Sequence, residues 1–283
     1  MPIEYSKLEG AGNEYVAIDG RNVERIWAKL ATAMSTQISG VGSDGLVLVQ
    51  NSDKAQVRMR VYNPDGSEAE MSGNGIRLFA KFVLDRQIVE LNGDGSLVIE
   101  TGGGLRTVWP TISDGKMDSA RVAMGRPVFA PDRIPVKALG YPERIVDYPL
   151  EVSGRTLAIT CLAIGNPHCV VFSDEPVERF PLDKIGPLVE QHPMFPHRVN
   201  VEIVNVLSRK QIQVRIFERG AGETLSSGTG STAAMIASKL HGYVNDKVEI
   251  LLPGGTLEVF WSGLGEAYLE GPANEVSAGI WPD

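Results

Sequence analysis

Two short glycine-rich segments carry the residue types best suited to chemistry, and each begins with a serine. They read Ser-Gly-Asn-Gly at 72–75 and Ser-Gly-Thr-Gly at 227–230, and an apolar or small-residue run follows each one. Serine is a favoured N-cap, so Ser72 and Ser227 predict the starts of two helices. The free amides and the positive dipole end of a helix N-terminus bind anions. Each segment therefore predicts a group of amide donors that can bind an anion.

These segments belong to a longer internal duplication. Residues 58–80 match residues 213–235 at a constant separation of 155 residues, and the matched pairs are Arg60 with Arg215, Val61 with Ile216, Tyr62 with Phe217, Glu68 with Glu223, Ser72 with Ser227, Gly73 with Gly228 and Gly75 with Gly230. A second match pairs GAGNEYVAID at 10–19 with AIGNPHCVVF at 163–172, at a separation of 153 residues. Two matches in the same order indicate duplicated halves, and the period is too long for a solenoid repeat.

Asparagines and a pair of opposite charges accompany the duplicated segments. Asparagine stands at 13, 63, 74, 166 and 200, and Glu218-Arg219 follows the strand of the second copy. An asparagine amide offers both a donor and an acceptor, which suits the ammonium and carboxylate groups of an amino acid. If the halves face each other across a cleft, their amides would stabilise a carboxylate or a carbanion-like centre from both sides. The pattern therefore favours a cleft that binds a small zwitterion.

Other interpretations of the glycine-rich segments are weaker. Either segment alone is typical of an ordinary N-cap with turn glycines, and the duplication with its asparagines is what favours a ligand site. The chain has no GxxxxGK[ST] phosphate loop, and GAGN at 10–13 lacks the GxGxxG spacing of a dinucleotide site. A nucleotide ligand is therefore disfavoured.

The residues around each serine predict the elements that position it. Gln56–Tyr62 alternates polar and apolar residues and predicts a strand, and Asn63–Gly66 predicts a turn. Ser72 then caps a helix in the first copy, and Ser227 caps the helix that starts STAAMIASKL in the second. Strands combined with helices in two similar halves predict an α/β (α+β) protein. We place the two domains at 1–124 and 125–268.

Composition excludes several classes of protein. Of 283 residues, 43% are hydrophobic and 22% charged, as in ordinary globular proteins, and 31 are glycine. The net charge of −8 gives no bulk attraction to nucleic acid or to anionic membranes. No secretory signal and no apolar run of about 18 residues is visible, so we expect a cytoplasmic protein without a membrane span. Cys161 and Cys169 read as buried hydrophobes, and no metal-ligand pattern occurs.

The motifs together resemble the diaminopimelate epimerase family along nearly the whole chain. The matching segments are KLEGAGNEYVAID, GVGSDG, YNPDGSEAEMSGNGIR, GNPHCVV, RVNVE, ERGAGET, SSGTGSTAA and LPGGTLEV. The resemblance implies two pseudo-symmetric domains, each a curved, mostly antiparallel sheet wrapped around a central helix, with the active site in the cleft between them. It also implies that about 269–283 completes the first domain. Family members are cofactor-independent, usually homodimeric and cytoplasmic, and serve lysine and peptidoglycan precursor synthesis.

The same resemblance implies roles for individual residues. The positions that match substrate contacts are Asn13, Asn63, Asn166, Asn200, Glu218 and Arg219. The positions that match the backbone groups around the α-carboxylate are Gly73, Asn74, Gly228 and Thr229. His168 and Glu218 match polar residues that flank the two catalytic acid/base groups.

Both catalytic positions depart from the family pattern. The family has a cysteine directly before each glycine, whereas this chain has Ser72 and Ser227. A thiol has an unperturbed pKa near 8.5, which a helix N-terminus can lower into the working range. An alkanol is far less acidic, so each serine would need a neighbouring base such as His168 or Glu218.

Three interpretations remain open. The chain is an epimerase that interconverts LL- and meso-diaminopimelate by two-base proton transfer, with slow or no turnover because serine replaces both cysteines. Alternatively, it is a divergent isomerase or lyase of the same fold that acts on another small carboxylate through His168 or Glu218. As a third possibility, it is a non-catalytic protein that binds an amino acid.

Overall fold

The computed structural model describes residues 2–140 and 143–282. The chain divides into two units by its contacts, one formed by Met1–Ala123 with Glu270–Asp283 and the other by Met124–Leu269. The first unit therefore contains both ends of the chain.

The first unit is built mainly from strands, with one short and one longer helix. Its strands are β1 (Ile3–Gly10), β2 (Asn13–Asp19), β3 (Leu46–Gln50), β4 (Val57–Tyr62), β5 (Glu68–Ala69), β6 (Leu97–Thr101), β7 (Gly104–Ser113), β8 (Lys116–Gly125), the end of β17 (Ala267–Pro272) and β18 (Asn274–Trp281). Its helices are α1 (Trp27–Ser35) and α2 (Gly73–Asp85). The alternating burial of β4 and the hydrogen bond from Gly66 N to Asn63 O (2.9 Å) confirm the predicted strand and turn.

The second unit contains a similar set of elements. Its strands are β9 (Ile145–Val152), β10 (Arg155–Ala163), β11 (Pro167–Phe172), β12 (Asn200–Ser208), β13 (Gln211–Glu218), β14 (Gly222–Thr224), β15 (Lys247–Leu252) and β16 (Gly255–Phe260), followed by the start of β17. Its helices are a 3-10 turn at Val177–Arg179, α3 (Leu182–Glu190) and α4 (Gly228–Leu240). Helix α4 begins three residues before the predicted start because Ser227 is its N-cap.

The strands of the two units pair in the same order. In the first unit β1 pairs antiparallel with β2, β2 parallel with β3, and β3 antiparallel with β4, which then pairs with β5 and β6. In the second unit β10 to β13 repeat these orientations, and β13 then pairs with β14 and β15. The predicted mixed α+β class, with mostly antiparallel pairing in two similar halves, is confirmed.

Each unit surrounds one buried helix with its strands. Helix α2 contacts β1 to β4 and β7, and all residues from 74 to 83 are buried. Helix α4 contacts β10 to β13, β15 and β16, and residues 230–238 are all buried. A helix that is buried on every side belongs to a core rather than to a surface. Alanine and serine in α4 keep this helix narrow enough for such packing.

The two cysteines lie in the core of the second unit. Cys161 and Cys169 face each other across β10 and β11 and are both buried as free thiols, as predicted. The hydrogen bond between Cys169 and Cys161, together with burial, raises the pKa of the Cys169 thiol.

Within the described ranges, no helix combines the length and apolarity needed to span a bilayer.

Gly45 holds the start of β3 close to the neighbouring strand. Its φ is +151°, and a Cβ at this position would lie 2.4 Å from the carbonyl oxygen of Tyr62 and 3.1 Å from the ring of Tyr15. The carbonyl of Gly45 accepts the amide of Val16 at 3.0 Å. Any side chain here must therefore push backbone atoms apart.

We expect Gly45→Ala to destabilise the protein by roughly 1–3 kcal/mol, because overpacking against a backbone atom and an unfavourable φ act together. Urea denaturation followed by circular dichroism measures the loss. Gly93→Ala is the matched control, since a Cβ at Gly93 meets nothing within 4 Å and its φ is not positive. Equal stability of the two variants would contradict the proposed close approach.

Candidate active site

The N-terminus of α2 is capped by Ser72, as predicted. Ser72 Oγ accepts the amide of Gly75 at 3.0 Å, and the extended backbone of Ser72 (φ −129°) is typical of an N-cap. The amides of Gly73 and Asn74 precede the first intrahelical hydrogen bonds, so they have no carbonyl partner within the helix. The N-terminus of a helix is the end at which an anion can bind.

Tyr15 supplies the second partner of the Ser72 hydroxyl. Tyr15 Oη donates to Ser72 Oγ at 3.1 Å, from a side chain that is 9% exposed. Because Ser72 Oγ accepts from both Tyr15 and Gly75, its own proton is available to a third group. The sequence reasoning did not single out Tyr15, although the second duplication match places it opposite His168.

A chain of hydrogen bonds fixes the two asparagines of the first half-site. Arg77 Nη1 donates to Asn74 Oδ1 at 2.9 Å, Asn74 Nδ2 donates to Asn13 Oδ1, and Asn13 Nδ2 donates to Asp44 Oδ2 at 3.2 Å. A guanidinium can only donate and a carboxylate can only accept, so both amide orientations are set. Complete burial lowers the pKa of Arg77 to about 10. This value is still well above neutral pH, so the guanidinium remains charged.

Asn63 occupies the turn after β4. Its Nδ2 donates to Ser67 Oγ at 2.9 Å, and its amide donates to the carbonyl of Ser67 at 2.8 Å. Both of these hydrogen bonds lie within the turn. The role of Asn63 as a substrate contact stays a prediction.

The N-terminus of α4 repeats the serine cap with a different partner. Ser227 Oγ accepts the amide of Gly230 at 3.3 Å and donates to Glu218 Oε2 at 2.9 Å. The other carboxylate oxygen of Glu218 accepts from Thr224 Oγ1 at 2.8 Å. The predicted neighbours Ser227 and Glu218 therefore form a hydroxyl–carboxylate pair. Gly228 is buried and Thr229 half-buried beside this pair, and their amides repeat those of Gly73 and Asn74.

A hydrogen bond joins the side chain of Asn200 to the backbone of Arg219. Asn200 Oδ1 accepts the amide of Arg219 at 2.9 Å, and Asn200 Nδ2 donates to the carbonyl of Pro167 at 2.8 Å. Asn200 is 3% exposed, so it ties β11 to the end of β13. The Arg219 side chain is exposed, and its Nη1 donates to His197 O at 3.2 Å. Arg219 is thus the accessible cation of this half-site.

His168 joins Asn166 to a buried carboxylate that sequence reasoning missed. His168 Nε2 lies 2.6 Å from Asn166 Oδ1, and its Nδ1 lies 2.7 Å from Glu202 Oε1. Burial raises the pKa of Glu202, and the interaction with His168 opposes this rise. Both ring nitrogens of His168 are therefore engaged, whereas Glu218 is the group that contacts a serine. The first five residues of β12 are all buried, so no alternation in NVEIVNVLS marked the glutamate as inward-facing.

No cluster of three or more metal-ligating side chains occurs in residues 2–140 and 143–282. The polar groups gathered at the two serines are hydroxyls, amides and one carboxylate. Such groups bind an organic anion and transfer protons between oxygen atoms.

Solved structures of other proteins share this fold. A hydroxyproline epimerase from Agrobacterium vitis has a TM-score of 0.71 at 16% identity, over 99% of this chain and 92% of that chain. A phenazine biosynthesis protein of the PhzF family from Bacillus anthracis has a TM-score of 0.69 at 16% identity, over 100% of both chains. The fold is thus shared with a hydroxyproline epimerase and a PhzF-family protein.

Sequence comparison identifies the family within this group. The diaminopimelate epimerase model matches residues 5–130 and 160–276. The diaminopimelate epimerase of Moorella thermoacetica is 41% identical over 283 residues, and that of Leptospira biflexa is 40% identical over 281 residues, with 99% of both chains covered in each case. The chain therefore belongs to the diaminopimelate epimerase family, whose members are isomerases, and the resemblance seen in the motifs is confirmed.

We expect Ser227→Ala to lower the free energy of unfolding by about 0.5–2 kcal/mol, because the Gly230 amide loses its cap. Ser227→Gly should cost less than Ser227→Ala, since glycine is tolerated at an N-cap and both variants lose the hydrogen bond to Glu218 equally. Urea denaturation of both variants and the unchanged protein measures the difference. A stability loss for glycine equal to that for alanine would show that the cap does not hold α4.

Proposed function

We propose that this chain interconverts LL- and meso-diaminopimelate by moving the α-proton of one stereocentre between two acid/base groups, without a cofactor. Membership of the family supports the substrate. The observation that carries the mechanism is the duplicated serine cap, which places one hydroxyl at each of two anion-binding helix ends.

The helix ends would hold the α-carboxylate of the substrate. The amides of Gly73 and Asn74 on one side, and of Gly228 and Thr229 on the other, are donors without intrahelical partners. Such donors would stabilise the negative charge that spreads from the α-carbon into the carboxylate when the proton leaves.

The remaining predicted contacts would orient the substrate. We assign the ammonium and distal groups to Asn13, Asn63, Asn166, Asn200 and the side chains of Glu218 and Arg219. Arg219 suits a carboxylate because its guanidinium is exposed and always charged.

The second half-site would remove the α-proton through a pair of oxygen acids. The C–H bond breaks, its electron pair stays on the α-carbon, and the proton goes to Ser227 Oγ. The original Ser227 proton moves along the existing 2.9 Å hydrogen bond to Glu218 Oε2. This coupling supplies the neighbouring base that a serine needs.

The first half-site would return a proton to the opposite face. Ser72 Oγ gives its proton to the α-carbon and takes one from Tyr15 Oη, which already donates to it at 3.1 Å. Glu218 and Tyr15 then exchange protons with water, and the cycle resets. The reverse reaction uses the same steps in the opposite order.

Serine would limit the rate of this reaction. A helix dipole contributes about 0.3–2 kcal/mol, which shifts a pKa by about one unit and cannot bring an alkanol near neutrality. We therefore propose slow turnover for this chain. As for other members of the family, we propose a cytoplasmic homodimer that serves lysine and peptidoglycan precursor synthesis.

We expect the double substitution Ser72→Cys with Ser227→Cys to raise α-hydrogen exchange of diaminopimelate by about 10²- to 10⁴-fold, the usual range for effective acid/base catalysis. Proton NMR in deuterated water measures the loss of the α-proton signal from LL- and meso-diaminopimelate. Ser226→Cys is the matched control, because it adds a thiol at the buried neighbour of Ser227 without replacing the cap.

The results separate the candidate functions. No exchange in the double-cysteine variant would refute diaminopimelate as the substrate and favour another small carboxylate. Binding of diaminopimelate in calorimetry, without exchange in the unchanged chain, would favour a binding protein. A rise in exchange for Ser226→Cys equal to that of the double variant would contradict the assignment of the two caps.

A further inference from the structure

The second unit holds a buried acid–base pair beneath its half-site. The side chains of Glu202 and His168 are both 0% exposed, and Glu202 Oε1 lies 2.7 Å from His168 Nδ1. Within the described residues, the other carboxylate oxygen of Glu202 has no hydrogen-bond partner. An unsatisfied buried carboxyl oxygen costs stability, so its retention calls for a function.

The pair can fix the orientation of Asn166. The Nε2 atom of His168 lies 2.6 Å from Asn166 Oδ1, and a carbonyl oxygen can only accept. In this orientation Nε2 must carry a proton, while Nδ1 and the Glu202 carboxyl share another. The Nδ2 group of Asn166 is then directed away from His168 and can donate to a ligand.

The first unit has no such acid–base pair at the corresponding position. The duplication makes Val16 the equivalent of Cys169. Val16 pairs with Leu46 in the parallel strands of the first unit, and Cys169 pairs with Val201 in those of the second. The next residue along, Val47, is therefore the equivalent of Glu202. There the matching asparagine, Asn13, is held by Asn74 and Asp44 instead.

The surroundings of Glu202 contain few other charges. Burial raises the pKa of Glu202, the interaction with His168 lowers it, and the nearby carboxylate of Glu218 raises it. A Cβ added at Gly230 would lie 3.0 Å from Glu202 Oε1, so the carboxyl sits directly under the first turn of α4.

We propose that Glu202 is a positioning residue, which acts through His168 to hold the Asn166 amide with its NH2 group toward the substrate. The effect on substrate rests on the proposed function, because it takes Asn166 as a substrate contact. The orientation itself concerns the protein without ligand and is tested separately.

The orientation is tested by nitrogen NMR of the full chain labelled with ¹⁵N at histidine, and the His168 signals are assigned by comparison with His168→Gln. We expect Nε2 of His168 to carry a proton at neutral pH. An unprotonated Nε2 would overturn the proposal, because Asn166 would then have to present its NH2 group to His168.

Two substitutions test the role of Glu202. Glu202→Val copies Val47 and leaves Nδ1 without a partner, so the side-chain amide signals of Asn166 should shift and the Kd for meso-diaminopimelate should rise about tenfold, the value of one hydrogen bond. Glu202→Gln can still donate to Nδ1, so it should keep the Nε2 proton and a Kd within about twofold.

Asp85→Asn is the matched control. Asp85 is a buried carboxylate of the first unit, with its side chain 3% exposed and 2.9 Å from Lys81 Nζ. This substitution disturbs a buried pair comparably but should leave the His168 and Asn166 signals and the Kd unchanged.

The outcomes keep the two proposals apart. Unchanged Asn166 signals in Glu202→Val, or a Kd for Glu202→Gln as weak as that of Glu202→Val, would overturn the positioning role. If Glu202→Val does not fold, loss of the Nε2 proton in Glu202→Gln overturns it. If the unchanged chain binds no diaminopimelate, the proposed function fails, while the NMR result still decides the orientation.

Discussion

The hydrogen bond that the third amide of each central helix donates to a serine oxygen is the interaction on which both halves depend. Both helices are buried along nearly their whole length, so water cannot satisfy their first amides freely. Ser72 and Ser227 each accept one of these amides through the side-chain oxygen. The same contact places a hydroxyl at each proposed anion site. The element that stabilises the fold is thus also the proposed reactive group.

Around this shared frame the two halves differ in the groups that contact the serine. Ser72 accepts from the phenol of Tyr15, whereas Ser227 donates to the carboxylate of Glu218. A phenol donates and a carboxylate accepts, so the two serine hydroxyls are polarised in opposite senses. In the proposed proton transfer, this difference gives Ser227 a neighbouring base and Ser72 a neighbouring acid.

Much of this arrangement was predictable from local sequence. The alternation in β4, the Asn63–Gly66 turn and the serine caps all rest on interactions within a few residues, and each was found as predicted. The start of α4 was placed three residues late because the apolar run begins after the cap. Tyr15 and Glu202 were missed, since each reaches its partner across the sheet from a distant part of the chain.

By itself, the sequence determined the duplicated halves, the family and the two capped helix ends, because these depend on residue type and short-range spacing. Only the tertiary structure decided which side chain faces which polar atom. Parallel pairing of β11 with β12 sets His168 beside Asn200, and it brings Glu202, two residues further along, under α4. Strand register and the alternation of side chains fix such contacts, and register depends on two strands that are distant in the sequence.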